Sequence, residues 1–114
     1  MTENELTAAV LELAGILGYR ACHQRPARTA HGWRTAVQGP GSKGYPDCLL
    51  VHQKTGRILF IELKVGRNKL SPDQEQWRDL LLFAGARYCL FTDVDWHEGA
   101  IEHVLREHAG QVAA

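Results

Sequence analysis

Residues 44–64, GYPDCLLVHQKTGRILFIELK, decide how the rest of the chain is read. Pro46 holds Tyr45 in extended conformations and suits the start of a strand. CLLV, from Cys48, is an apolar run fit for a buried strand, and Lys54-Thr55-Gly56 supplies a turn. RILFIELK then forms a second strand. Ile58, Leu59, Phe60, Ile61 and Leu63 leave it apolar almost throughout, as expected of a central strand covered on both faces. Glu62 and Lys64, at i and i+2, share one of those faces. Pairing the two strands brings Asp47, at the head of the first, to Glu62 and Lys64, at the tail of the second.

That convergence raises a chemical question. A carboxylate buried in an apolar strand without a partner costs on the order of several kcal/mol. The neighbouring lysine or a metal ion would resolve it. Two carboxylates on adjacent strands match the oxygen donors that Mg²⁺ takes while keeping several of its waters, and the backbone carbonyl of Leu63 adds a further oxygen. Such an ion activates water and neutralises phosphate charge. Lys64 points the same way and can orient the water or hold the scissile phosphate. As a bare string, P-D followed after 14 residues by E-x-K is weak, and a Glu62–Lys64 ion pair explains part of it. The strand context strengthens it: the aspartate opens one strand and E-x-K closes the next.

The totals describe one modest domain spanning residues 1–114. An apolar fraction of 45% and a charged fraction of 23% are ordinary for a globular protein. No apolar run approaches the ~18 residues that cross a membrane. The acidic, polar N-terminus is not that of a secretory signal. Cys22, Cys48 and Cys89 are far apart and lack metal-ligand spacing, which fits buried or half-buried thiols in a reducing, cytoplasmic setting and argues against zinc. The net charge is zero, with 13 basic and 13 acidic residues, yet residues 20–43 carry Arg20, Arg25, Arg28, Arg34 and Lys43 without one acid. A basic segment inside a neutral chain fits an anionic partner, although a solvated loop explains the charge equally well.

Outward from the central stretch, residues 3–18 read as an amphipathic helix. Leu6, Val10, Leu13 and Leu17 form the stripe, Thr2 and Glu5 a capping box, and Gly18 the C-terminal stop. Glu3 and Glu5 border that stripe on opposite sides, so Glu3 can lean toward whatever the helix packs on. Residues 19–22 form a short strand. Residues 23–44 show no periodicity and hold two prolines and four glycines, a long loop of the kind that is functional or mobile. Trp33 beside Arg34 suits base stacking or cation–π contact, or else anchors the loop. GPGSKG lacks the spacing of a phosphate-binding loop. Arg67 and Lys69 make a basic turn. Ser71, Pro72 and Gln74 start a helix that runs to about Ala84 with Trp77, Leu80, Leu81 and Ala84 inward. Residues 87–92 form a strand, residues 93–96 a turn, and residues 97–108 a last helix. The order implies an α/β fold, a small mixed sheet flanked by helices.

The strings TENELTAAVLELAGILG, GWRTAVQGPGSKGYPD, FIELK, LSPDQEQW and GARYCLFTDVDW together resemble the VRR-NUC domain of the PD-(D/E)xK nuclease superfamily, in its small stand-alone phage and bacterial form, over residues 2–96. The resemblance implies a restriction-endonuclease-like core, αβββαβ plus a C-terminal helix. It implies Mg²⁺- or Mn²⁺-dependent DNA cleavage, often directed to Holliday junctions or flaps, by a homodimer. It matches Asp47, Glu62 and Lys64 to the catalytic triad. Glu3 matches the first-helix glutamate of the acidic site, with Glu5 as the alternative, and Gln74 the glutamine of the helix after E-x-K. The metal set is then Glu3, Asp47, Glu62 and Leu63. Arg25, Arg28, Trp33, Arg34, Lys43, Arg67 and Lys69 are the candidate DNA contacts, of which the longer loop here departs from the shortest members. A non-catalytic DNA-binding module of the same fold is the alternative function. A sequence-specific restriction enzyme has little room for a recognition domain in 114 residues.

Overall fold

A computed structural model describes the backbone of residues 1–24, 26–29, 32–35 and 39–111, and the side chains of residues 1–24 and 39–111. The first helix, α1 (Glu3–Ile16), starts as its sequence requires. The Glu5 amide donates to Thr2 Oγ1 at 3.1 Å, and the Thr2 amide donates to Glu5 Oε1 at 3.0 Å. The strand β1 (Tyr19–His23) follows, and β4 (Cys48–His52) and β5 (Ile58–Lys64) form the expected hairpin. Then come α2 (Pro72–Phe83), β6 (Tyr88–Thr92), α3 (Asp93–His97) and α4 (Ala100–His108).

The main sheet has the order β1-β4-β5-β6. β4 runs antiparallel to both β1 and β5, and β6 lies parallel to β5 after the α2 crossover. The sheet is therefore mixed, with helices around it, an architecture compatible with a restriction-endonuclease-like core. β5 is central, as its apolar run requires. Leu59, Ile61 and Leu63 point to one side, where they are fully buried with Leu6, Val10 and Ala14 of α1 and Ile101 and Leu105 of α4. Phe60, Glu62 and Lys64 take the other side.

One histidine ties the core together. His52 is buried; its Nε2–H donates to the Leu17 carbonyl at 2.8 Å, just past α1. Its Nδ1 accepts the amides of Lys54 and Thr55 at 3.2 and 3.1 Å. One ring thus satisfies a carbonyl at the end of α1 and two amides of the β4–β5 turn. Nothing in its apolar sequence context marks it for that role.

Several expectations need correction. The segment expected to be a loop holds two more strands, β2 (Pro26–Thr29) and β3 (Gly32–Thr35), paired antiparallel as a ribbon apart from the main sheet. Four-residue strands are too short to show periodicity. Residues 93–96 are not a simple turn but the start of α3, where Thr92 and Asp95 form a capping box. Gly99, at φ +82°, separates α3 from α4, so the last helix starts at Ala100 rather than at position 97. The inward side expected of α2 is not buried: none of its residues is, and Leu80 is 57% exposed. Cys22 is exposed, against the expectation of buried thiols, whereas Cys48 is buried and Cys89 half-buried. Among the described residues no helix is long and apolar enough to cross a membrane.

Candidate active site

The β4–β5 register pairs Cys48 with Ile61, which puts Asp47 and Glu62 side by side at the end of the hairpin. Each carboxylate is pinned by the other strand. The Asp47 amide donates to Glu62 Oε2 at 2.9 Å, and the Leu63 amide donates to Asp47 Oδ2 at 2.9 Å. The remaining Glu62 oxygen, Oε1, is buried and has no hydrogen-bond partner among the described residues, in a residue only 1% exposed. Burial, reinforced by a hydrogen bond to Asp47 and by its charge, lifts the Glu62 carboxyl well above the usual carboxylate range. Lys64, two residues on and on the same face, pulls in the opposite direction.

α1 contributes from the side. Glu3 is half-buried, and its pKa is raised first by desolvation and then by the charge of Asp47, with Lys64 opposing. Glu5 is exposed and engaged with Thr2 in the helix cap. Of the two first-turn glutamates, Glu3 is the one whose ionisation feels Asp47 and Lys64.

The approach to Asp47 is built by a loop clamped on α2. Gly44, at φ +84°, lies so close to the start of α2 that a Cβ there would come 2.4 Å from the carbonyl carbon of Asp73. Trp77 Nε1 donates to the Gly41 carbonyl at 2.9 Å, and Lys43 pairs with Asp73 at 3.5 Å. Tyr45 stands edge-on to both Phe60 of β5 and Trp77 of α2, with ring centroids 6.5 and 5.1 Å away. Contacts of Gly44 and Tyr45 with α2 and β5 thus hold the segment before Asp47 between sheet and helix. No motif flags them; the glycine before Tyr45-Pro46 is the only trace in the sequence.

The remaining candidates fall in different places. The Leu63 side chain is fully buried, so only its backbone meets the site. The Gln74 amide oxygen accepts the Ser71 amide at 2.8 Å, which commits that end of the side chain to the α2 cap. Arg67 and Lys69 are exposed in the turn after β5. Arg28, Trp33 and Arg34 lie on β2 and β3, where Arg28 pairs with Trp33, and their side chains lie outside the described residues, as does Arg25 altogether.

The chemistry of this donor set suits a hard divalent cation. It is all oxygen, it presses two carboxylates together, and it leaves a buried carboxylate oxygen unsatisfied. As the side chains stand, no three Asp, Glu, His or Cys among the described residues are grouped closely enough to hold a metal ion.

A mixed sheet in which P-D opens one strand and E-x-K closes the next, with a glutamate-bearing helix alongside, is compatible with a nuclease-type core. The family profile described as VRR-NUC domain matches residues 17–92, and the chain belongs to that family of nuclease domains. No curated protein matches it.

Proposed function

We propose that the protein is a metal-dependent DNA endonuclease, with Asp47, Glu62 and Lys64 as its catalytic centre and Glu3 completing the acidic set. The observation that carries this is the Asp47–Glu62 pair, two carboxylates locked together at the edge of an apolar core with one oxygen left over. A stable fold retains such a pair at a cost that a bound cation offsets. Glu3, Asp47 and Glu62, with the Leu63 carbonyl, would hold Mg²⁺ or Mn²⁺. When bound, that cation supplies charge neutralisation at the phosphate and an acidified water.

The chain's own residues do the rest. The amides of Asp47 and Leu63 fix the two carboxylates, so neither needs to reorganise when substrate arrives. Lys64 places its ammonium on the face they share, where it holds a phosphate oxygen or the attacking water. Gln74 sits at the start of the helix on which the Asp47 loop is clamped, and we assign it a positioning part. Arg25, Arg28, Trp33 and Arg34, on or beside the β2–β3 ribbon, with Lys43, Arg67 and Lys69, are the DNA contacts. A two-stranded ribbon fits a DNA groove.

We read the substrate as branched DNA, a Holliday junction or flap, and the enzyme as a homodimer of single-domain chains working in a reducing cytoplasm. The exposed face of α2 supports the dimer. Leu80, Leu82 and Phe83 are 57, 53 and 82% exposed, an apolar patch that a second copy would cover. The test is cleavage of duplex, single strand, flap, nick and four-way junction by the purified chain with Mg²⁺ or Mn²⁺. Cutting of branched forms in preference to duplex is expected. No cutting of any of the five would overturn the reading in favour of a DNA-binding module.

A further inference from the structure

A groove lies at the opposite end of β5 from Glu62. It encloses about 430 Å³ and is lined by Gly56, Arg57, Ile58, Phe60, Gly85, Ala86, Arg87 and His108. It forms where the β4–β5 turn, the α2–β6 connection and the end of α4 meet. Ile58 and Phe60 belong to the face of β5 that also carries Glu62. Glu62 lies four strand positions beyond Ile58, roughly 13 Å.

Its lining has the chemistry of a phosphate site. Two of the eight residues carry guanidinium groups, and none is acidic. Glu107 Oε1 borders the lining, 4.0 Å from Arg87 and 3.9 Å from His108 Nδ1, and its side chain and that of Arg87 are about half exposed. A guanidinium presents paired N–H donors that match phosphate oxygens. The backbone offers little competition: the amides of Gly56, Gly85 and Ala86 already donate to His52, Leu82 and Leu81. Recognition therefore falls to the side chains.

His108 makes the site more than a surface pair of arginines. It is 6% exposed, and its Nδ1 lies 3.0 Å from the Val104 carbonyl. A carbonyl only accepts, so Nδ1 carries the hydrogen and Nε2 is the nitrogen the helix does not engage. It can accept from a phosphate hydroxyl, or donate once the ring takes up a proton. Ile58, Phe60 and Ala86 give an apolar wall suited to the sugar or base beside the phosphate.

We propose that this groove is a phosphate-binding site, formed by Arg57, Arg87 and His108 and separate from the carboxylates. Two sources share that chemistry: a backbone phosphate of the DNA strand bound at Glu62, and a free phosphate or nucleotide. Only the first rests on the nuclease reading.

The test is titration of the ¹⁵N-labelled full chain with inorganic phosphate, without metal, for the wild type and the double variant Arg57→Gln, Arg87→Gln. Saturable shifts of the amides at positions 56, 57 and 85–87 that vanish in the double variant are expected. DNA affinity, measured across salt concentrations, separates the sources. A weaker affinity in the double variant, with the log–log salt slope reduced by about one unit, assigns the site to the strand. An unchanged affinity alongside the lost phosphate shifts assigns it to a free phosphate or nucleotide. Absent or non-saturable shifts, or shifts that persist in the double variant, overturn the site. Asp47→Asn serves as the control: its phosphate shifts remain whether or not its cleavage is lost, so the two readings fail separately.

Discussion

Asp47 and Glu62 hold one another through the backbone of opposite strands. The Asp47 amide donates to Glu62 and the amide after Glu62 donates to Asp47, both at 2.9 Å. The arrangement fixes each carboxyl group through backbone amides, which carry no net charge. It also explains why Glu62 keeps one buried oxygen without a partner. The hairpin holds the pair in place, and the pair makes the end of the hairpin a site.

From this follows the first expectation. Asp47→Asn and Glu62→Gln should each lower Mg²⁺- or Mn²⁺-dependent cleavage by about 1,000-fold or more, roughly 4 kcal/mol of transition-state stabilisation. Far-ultraviolet circular dichroism should stay that of the native fold. Cleavage within tenfold of the wild type in both variants would remove the pair from the mechanism.

Without metal, the same glutamate should work against stability as pH rises. Burial and Asp47 push the Glu62 pKa from an ordinary 4.5 to about 8. The native state therefore keeps a proton that the unfolded chain releases above pH 4.5. Stability falls as pH rises from there to about 8, and then levels off. Glu62→Gln removes this dependence and should stabilise the metal-free protein at pH 8 by about 1–3 kcal/mol, while costing nothing at pH 4. Urea denaturation with a chelator at both pH values checks it. A variant less stable than the wild type at pH 8 would show that the carboxylate is not under this strain.

The two glutamates of the first turn should separate cleanly. The ionisation of Glu3 feels the charges of Asp47 and Lys64, whereas Glu5 closes the helix cap. Glu3→Gln should lose cleavage and metal affinity and leave thermal stability nearly unchanged. Glu5→Gln should keep cleavage, since glutamine also completes a capping box. Glu5→Ala should lower the melting temperature with activity retained below it. The reverse pattern would move the acidic ligand to Glu5.

How much of this was legible in the sequence depends on the range of the interaction. α1, the β4–β5 hairpin and the start of α2 were readable because capping boxes, a turn and apolar runs are local signals, and each formed as its residues dictate. Asp47, Glu62 and Lys64 were readable because strand alternation places them. The Gly44–Asp73 contact was not, because it joins segments 29 positions apart and leaves no local pattern. His52 looked like one more residue of a strand end, yet it ties α1 to the hairpin. α2 misled in the other direction. Trp77, Leu80, Leu81 and Ala84 repeat as an inward face would, yet none is buried and Leu80 is 57% exposed, because spacing alone does not show whether anything packs on a stripe.

That surface gives the next expectation. If a second copy covers α2, Phe83→Asp should convert a dimer to a monomer in analytical ultracentrifugation, because a carboxylate in an apolar interface is costly. Phe83 is 82% exposed in the single chain, so the fold should be unaffected. Nicking of a single strand should outlast paired, symmetric cuts in a four-way junction, which need two centres. A wild type that sediments as a monomer at micromolar concentration would leave the patch to another partner.

The loop clamp offers the sharpest test of how the site is held. Gly44→Ala places a methyl group where the Asp73 backbone already lies, at a φ of +84° that alanine adopts poorly. The flexible end of a side chain could move aside, but the backbone of a capped helix start cannot without giving up its cap. The loop should therefore lift from α2, at a cost of about 2–4 kcal/mol, and carry Asp47, three residues on, out of register with Glu62. Trp77→Phe is the milder version: it loses the bond to the Gly41 carbonyl and keeps the contact with Tyr45. It should lower kcat severalfold with little change in melting temperature. A Gly44→Ala protein with wild-type stability and cleavage would mean that the loop reaches Asp47 by another path.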